Sequence, residues 1–150
     1  MKRKLSEKIY RAKNEIQRII NRIKNSVKQN HYMISLNEHR QENKEFIELY
    51  QLHSMKQKKI LLHLKIEDFC YSLENHHPTY HHETLYVFAP NLVLWNIQGY
   101  PETINVYIKI NIVPKMKKKQ VIIISFHPNH QQAHYLFKRE DVSNEKLCLL

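Results

Sequence analysis

The fold is decided by residues 104–113, which read INVYIKINIV. Apolar and polar side chains alternate along this stretch, with isoleucine or valine at every even position from 104 to 112. Strict alternation of this kind predicts a β-strand with one buried face. The next run, residues 121–126, is apolar apart from Ser125, which is typical of a strand in the middle of a sheet. The basic segment 115–119 between them predicts the tip of a hairpin.

The rest of the chain divides into helices followed by strands. β-branched and aromatic residues predict strands over 84–89 and 92–97, with a turn at 98–101 and a last short strand over 134–138. Upstream, the apolar spacing predicts helices over 37–51 and 54–64 and a short helix over 67–73, whereas residues 29–35 are expected to be a connection. Helices first and an antiparallel sheet afterwards define an α+β fold.

Residues 4–28 predict one long amphipathic helix in front of this domain. Its apolar stripe repeats in steps of three and four residues and consists of Leu5, Ile9, Ala12, Ile16, Ile19, Ile20, Ile23 and Val27. Ten Lys or Arg and two Glu lie within residues 1–30, so this segment carries +8 of the net charge of +10. We therefore divide the chain into a basic helix, 1–30, and an α+β domain, 31–150. The helix is expected to pack on that domain; forming a homodimer or reaching toward RNA are the alternatives.

Composition excludes several classes of protein. With 150 residues, 42% of them hydrophobic, the chain is long enough for one globular domain. Cys70 and Cys148 form no paired motif, so a reducing cytoplasm is expected, and no apolar run is long enough for a membrane span. Gly99 is the only glycine, which excludes glycine-rich phosphate loops. No cofactor is predicted.

Tyr107, Lys109 and His127 are the candidate residues for chemistry. Tyr107 and Lys109 share one face of their strand, and His127 ends the neighbouring strand beside them. Histidine transfers protons near neutral pH, lysine supplies positive charge, and tyrosine donates a proton or stacks on a base. The alternative is that Tyr107 and Lys109 are only the solvent face of an amphipathic strand.

The chain also contains histidine clusters, which could hold a metal ion, and clustered basic residues, which could bind a polyanion. The sets His76-His77-His81-His82 and His127-His130-His134 have neither the H-E-x-x-H pattern nor a Cys/His zinc spacing, so no metal site is predicted. Clustered positive charge favours a polyanionic partner such as RNA. The expected RNA-binding residues are Lys115, Lys117, Lys118, Lys119, Arg11, Arg18 and Arg22.

A resemblance to a known protein family is carried by two segments and the short basic connection between them: residues 106–110 (VYIKI) and 121–127 (VIIISFH). They resemble the paired strands that close the MqsR-like toxins of bacterial type II toxin–antitoxin systems, which share the RelE-like α+β fold. Residues 50–52, 60–64 and 67–69 are similar to the preceding helical part, and residues 85–90 to the strand between. The resemblance covers residues 45–128.

The resemblance implies a metal-independent endoribonuclease that cleaves mRNA by 2′-OH attack and is neutralised by a cognate antitoxin protein. It places Tyr107 and His127 in the active site, and a second family lysine falls at Tyr71. Glu83 or His82 would replace a family glutamine and supply the second proton-transfer group, while Lys109 would offset phosphoryl charge. The alternative is a non-catalytic nucleic-acid- or protein-binding module of phage or bacterial origin that uses the basic helix.

Overall fold

The computed structural model describes residues 2–74, 83–115, 118–137 and 146–149, with the backbone alone described in 2–11, 114–115 and 118–119. The protein is a mixed α+β fold with three α-helices and a mostly antiparallel sheet. In chain order the elements are α1 (Lys2–Lys28), β1 (Tyr32–Ile34), a 3-10 turn (Glu38–Arg40), α2 (Gln41–Tyr50), α3 (Ser54–Leu62), a second 3-10 turn (Ile66–Asp68), β2 (Phe69–Glu74), β3 (Thr84–Phe88), β4 (Asn91–Trp95), β5 (Pro101–Lys115), β6 (Lys118–Pro128) and β7 (Leu147–Leu149).

The long strand β5 organises the sheet, whose main order is β1-β6-β5-β3-β2. β5 pairs antiparallel with β3, β4 and β6, and β2 pairs antiparallel with β3. Two short edge strands, β1 and β7, add parallel pairs to β6 and β4. The four strands predicted from residues 84–126 are therefore confirmed, and β6 lies between two neighbours, as its mostly apolar run predicted. Lys115 pairs with Lys118, and residues 116–117 at the tip lie outside the described residues.

Three segments differ from the predictions. Residues 67–73 form the end of a 3-10 turn and then β2 rather than a helix, because the backbone of this segment pairs with β3. Part of the expected connection 29–35 is the edge strand β1. Residues 134–137 form no strand: the Leu136 N–H donates to the Phe69 carbonyl, but this bond is not continued into a ladder among the described residues, and Phe137 is buried against the Phe69 ring. The sequence also did not indicate β7.

The three helices pack their apolar residues against one face of the sheet, which we call the helix face, and the first turn of α2 lies at the edge of β6 beyond β1. Ile20 and Ile23 of α1 share one buried cluster with Phe46 of α2, Leu61 of α3 and Ile108 of β5. The apolar stripe of α1 is therefore buried within its own chain from residue 16 to residue 27. A homodimer through α1 would have to use some other part of the helix. No helix in the described part of the chain has the length and apolar character to cross a membrane.

The opposite face of the sheet, which we call the outer face, carries alternate side chains of β2, β3, β5 and β6. One end of it is covered by the segment that follows β6, where Ala133 and Tyr135 pack against a small cluster that includes Val87. The Tyr135 hydroxyl donates to the Ala89 carbonyl at 2.6 Å, which fastens this segment to the sheet. The remainder of the outer face has no helix packed on it within the described residues.

A register shift between β5 and β6 decides which residues of β6 reach the outer face. Lys109 pairs with Ser125 but Ile110 pairs with Ile123, so Ile124 is one extra residue in β6. Because side chains alternate along a strand, a bulge of one residue reverses the faces of all residues beyond it. Phe126 is consequently fully buried on the helix face, and His127 lies on the outer face beside Tyr107.

Candidate active site

Three aromatic rings stack at the end of the β5–β6 ladder on the outer face. Tyr107 and His127 are directly paired across the two strands, and their ring centroids are 5.5 Å apart at an interplanar angle of 23°. His130 stacks on His127 in turn, at 5.2 Å and 22°. A ring at an end of such a stack presents the kind of face on which nucleic-acid bases pack.

Glu42, in the first turn of α2, reaches both histidines. Its Oε2 atom lies 2.6 Å from His130 Nε2 and 3.3 Å from His127 Nδ1. The hydrogen bond from His130 lowers the pKa of the Glu42 carboxyl, and the charge of His127 acts in the same direction. Glu42 is therefore an ionised carboxylate held between two imidazoles.

The tautomer of His127 follows from its neighbours. Two acceptor oxygens face Nδ1, namely the Pro128 carbonyl at 2.9 Å and Glu42 Oε2 at 3.3 Å. A nitrogen that faces two acceptors carries the ring proton, and the other nitrogen then keeps its lone pair. Nε2 of His127 is thus the nitrogen of the neutral ring that carries the lone pair.

Tyr71 of β2 extends the site across the sheet. Its hydroxyl lies 3.1 Å from the hydroxyl of Tyr107. Burial raises the pKa of Tyr107 well above its usual range, and the hydrogen bond with Tyr71 raises it further. The Tyr107 phenol therefore remains protonated at any ordinary pH.

Two cationic side chains lie near the same part of the outer face. Lys109 is half-buried, and its pKa is lowered by burial and, to a smaller degree, by the positive charge of Arg40. Arg40 is the last residue of the 3-10 turn that leads into α2. An anion bound between two neighbouring cations relieves their repulsion, and a phosphate group supplies such an anion.

The structure brings together Tyr107, Lys109 and His127 but not the predicted partner Glu83. The Glu83 carboxylate accepts a hydrogen bond from Asn111 Nδ2 at 2.8 Å. Asn111 is four residues along β5 from Tyr107, about 13 Å at the rise of a β-strand. His82 lies outside the described residues. Glu42 has the position beside His127 that the sequence analysis assigned to Glu83 or His82.

The predicted RNA-binding residues are not gathered at this site. Lys115 is eight residues along β5 from Tyr107, about 26 Å away along the strand, where its backbone pairs with Lys118. Lys119 follows in β6, and Lys117 lies outside the described residues. Arg18 and Arg22 are exposed on α1, which covers the helix face, and the backbone of Arg11 belongs to the same helix.

Sequence reasoning missed Glu42, Arg40 and Asn43. Asn43 is almost fully buried and begins the stripe that α2 buries, which continues with Phe46, Ile47 and Tyr50. A polar residue at the first position of an apolar i, i+3, i+4, i+7 stripe is a signal for a structural hydrogen bond. That signal would have predicted which face of α2 is buried. Only the fold shows that Glu42, the residue before Asn43, contacts His127.

Together, the fold and the site define a class of molecule: a mixed α+β protein with a histidine–carboxylate site on the outer face of its sheet. Comparisons of the chain with protein-family models, with curated proteins and with solved structures give no match. The function proposed below therefore rests on the geometry of this site and on the chemistry of the side chains in it.

Proposed function

We propose that the protein is an endoribonuclease whose active site is centred on His127, and that it acts as the toxin of a type II toxin–antitoxin system. The observation that carries the proposal is the pairing of His127 with Glu42, 3.3 Å from Nδ1 to Oε2, on the sheet face that also holds Lys109. The resemblance of residues 106–110 and 121–127 to MqsR-like toxins supports the choice of mRNA as substrate and of an antitoxin as partner.

The proposed reaction is attack of an RNA 2′-hydroxyl on the adjacent phosphorus. His127 Nε2 accepts the proton of the 2′-hydroxyl as the new O–P bond forms, and Glu42 stabilises the resulting imidazolium. The bond from phosphorus to the 5′ oxygen breaks, and His130 donates the proton that this oxygen requires. The products are a 2′,3′-cyclic phosphate and a 5′-hydroxyl. No metal ion takes part in any step.

Lys109, Tyr107 and Tyr71 bind the substrate in this proposal. The ammonium group of Lys109, with Arg40 nearby, offsets the charge that accumulates on the phosphoryl oxygens. The stack of Tyr107, His127 and His130 supports a base at one of its ends, next to the scissile bond. Positioning of this kind supplies the part of the rate enhancement that proton transfer alone does not.

The test is cleavage of a mixed RNA substrate by the full chain in EDTA. The wild-type protein should yield 2′,3′-cyclic phosphate ends, and His127→Ala should lower the rate by about 10²–10⁴-fold. Glu42→Gln should lower it as well, because the carboxylate no longer stabilises the imidazolium. His39→Ala is the matched control, since His39 is an exposed histidine close to Glu42 in the chain. Equal cleavage by the wild type and His127→Ala would contradict the proposal.

Binding through α1 is a second candidate function. Burial lowers the pKa of Lys24, and the positive charges of Lys28 and Lys65 lower it further. Positive charge is thus concentrated where α1 ends, in a groove whose lining includes Arg22 and Asn25. Such a surface fits an acidic partner, either nucleic acid or the antitoxin.

A further inference from the structure

The side chains of Glu42, His127 and His130 form a cluster in which three potential ligand atoms, one from each residue, all lie within 4.8 Å of one another. We propose that these three residues bind one divalent transition-metal ion of the Zn²⁺ class. We further propose that the ion inhibits the protein, a consequence that rests on the proposed nuclease function.

The donor set favours this class of ion. Two imidazoles and one carboxylate are a common ligand set of zinc sites with an open coordination position. Imidazole suits Zn²⁺, Cu²⁺ and Ni²⁺, whereas Mg²⁺ and Ca²⁺ prefer oxygen ligands alone. With a single carboxylate and two imidazole nitrogens, the cluster favours the first group.

One ligand–ligand distance already has the value expected of a tetrahedral site, and a second needs a small adjustment. Zinc bonds of 2.0–2.1 Å place neighbouring ligand atoms about 3.3 Å apart in a tetrahedron. The separation of His127 Nδ1 and Glu42 Oε2 is 3.3 Å. The contact of His130 Nε2 with Glu42 Oε2 must lengthen from 2.6 Å by about 0.7 Å. Both side chains are more than half exposed, so they can adjust without disturbing the core.

Two of the three ligands are held on regular elements. His127 lies on β6 with a side chain that is only 16% exposed. Glu42 is adjacent to Asn43, whose amide anchors α2 to β6 through Ile124 and Phe126. This anchoring places the carboxylate before a metal arrives, which lowers the entropic cost of binding. The third ligand, His130, follows the Pro128 that ends β6.

The structure also shows why the sequence pattern pointed to a different ligand set. The spacing grouped His134 with His127 and His130, but His134 is exposed and does not belong to the cluster among the described residues. The remaining ligand, Glu42, comes instead from α2, more than eighty residues earlier in the chain. No spacing rule within one segment finds a ligand contributed across the fold in this way.

Metal binding and the proposed catalysis exclude each other at the level of single atoms. An ion bound to His127 Nδ1 requires that the ring proton sit on Nε2, and this nitrogen then has no lone pair to accept a proton. The same ion occupies the Glu42 carboxylate and His130. A bound Zn²⁺ therefore removes the base, the group that stabilises its charged form and the proton donor together.

The test begins with Zn²⁺ affinity, measured on the full chain by competition with a chromophoric chelator. Because His76, His77, His81 and His82 are further potential ligands, the measurement is repeated with all four replaced by alanine. In that background we expect one Zn²⁺ per chain. Loss of a residue that only supports a metal ligand weakens metal binding about tenfold or more. Loss of a ligand itself should weaken it at least as much, so we expect Glu42→Gln and His130→Ala each to lower the Zn²⁺ affinity at least tenfold. His39→Ala and His134→Ala are the controls and should bind as tightly as the background protein.

Substitution with Co²⁺ gives a second readout that does not depend on RNA cleavage. A four-coordinate site should produce intense visible d–d absorption in the background protein and lose it in Glu42→Gln. Unchanged affinity and an unchanged spectrum in both Glu42→Gln and His130→Ala would overturn the metal site.

Inhibition is tested separately, by cleavage in a chelator-free buffer with Zn²⁺ at about ten times its dissociation constant. Occupancy at that concentration should lower the rate about tenfold, and EDTA should restore it. Undiminished cleavage with the site occupied would overturn the inhibitory role. If RNA is not cleaved even in EDTA while Zn²⁺ binds as expected, the nuclease proposal and the inhibitory role fall and the metal site stands.

Discussion

At the scale of single residues, Asn43 connects the core to the site. Its Nδ2 group donates to the carbonyls of Ser35 and Ile124, each at 2.9 Å, and its Oδ1 atom accepts from the Phe126 N–H at 2.8 Å. These bonds satisfy one backbone carbonyl just after β1 and two backbone groups of β6 beyond the last residue that pairs with β1. They also fix α2 next to β6, which brings Glu42 to His127.

Asn43→Ala should destabilise the protein by about 3 kcal/mol, because it removes three buried hydrogen bonds worth roughly 1 kcal/mol each and leaves their partners unsatisfied. Urea unfolding monitored by circular dichroism measures the change. Asn25→Ala, at an exposed position of α1, is the matched control and should cost little. A loss no greater for Asn43→Ala than for the control would contradict this role.

Tyr50 should make stability depend on alkaline pH. Burial and the hydrogen bond to Glu102 raise its pKa to about 12, above its ordinary value of 10.0. The unfolded chain therefore loses this proton at lower pH than the folded protein does. The stabilisation is complete below pH 10 and is lost as the pH rises toward 12.

Tyr50→Phe should accordingly flatten the decline in the free energy of unfolding between pH 10 and pH 12. Chemical unfolding at several pH values in this window measures the slope for both proteins. Tyr100→Phe, at an exposed tyrosine, is the control and should leave the slope as it is in the wild type. Equal slopes for Tyr50→Phe and wild type would refute the assignment.

At the scale of elements, what the sequence predicts depends on how many faces of an element are buried. β5 buries one face, so its alternating pattern is visible in residues 104–113, and the fold class and the shared face of Tyr107 and Lys109 follow from it. β6 has a neighbouring strand on both sides and apolar residues at consecutive positions. Its sequence therefore has no alternating pattern that would show where the bulge lies. His127 was expected on the outer face, and its place there depends on that bulge.

β2 shows a second limit of local patterns. Glu67 and Asp68 before an apolar run are typical of a helix N-terminus, yet they lie at the 3-10 turn that precedes the strand. The backbone of β2 gains its hydrogen bonds from β3, a partner that local spacing does not reveal. The position of Tyr71 beside Tyr107 depends on the same pairing, and so does the breadth of the candidate site.

At the scale of the whole molecule, the two charged surfaces lie on opposite sides of the sheet. α1 covers the helix face with Arg18 and Arg22 exposed, whereas Lys109 and His127 occupy the outer face. A partner bound along α1 therefore does not have to touch the candidate active site. Deleting α1 would not separate the two functions, because the core would lose Ile20 and Ile23.

Reversing charge on α1 separates them instead. Arg18→Glu combined with Arg22→Glu should weaken binding of an acidic partner or a long RNA and reduce the salt dependence of binding, since fewer counterions are released. Cleavage of a short oligonucleotide should remain at the wild-type rate. Filter binding at several salt concentrations and a cleavage assay measure the two effects.

The matched control is Lys44→Glu combined with Lys59→Glu, which changes the net charge by the same four units at exposed positions outside α1. If both double variants weaken binding equally, net charge and not the α1 surface is responsible. If the α1 variant alone abolishes oligonucleotide cleavage while remaining folded, the separation of the two surfaces is wrong.

The extra residue in β6 limits which deletions the strand can accept. Odd-numbered residues face the helices before Ile124, and even-numbered residues do so after it. A single-codon deletion at this point would exchange the inside and the outside of everything downstream in the strand, bringing His127 into the core and Phe126 into solvent. The buried aromatic residue of β6, Phe126, and the central histidine of the site therefore depend on the same extra residue, because its presence decides which face of the sheet each of them occupies.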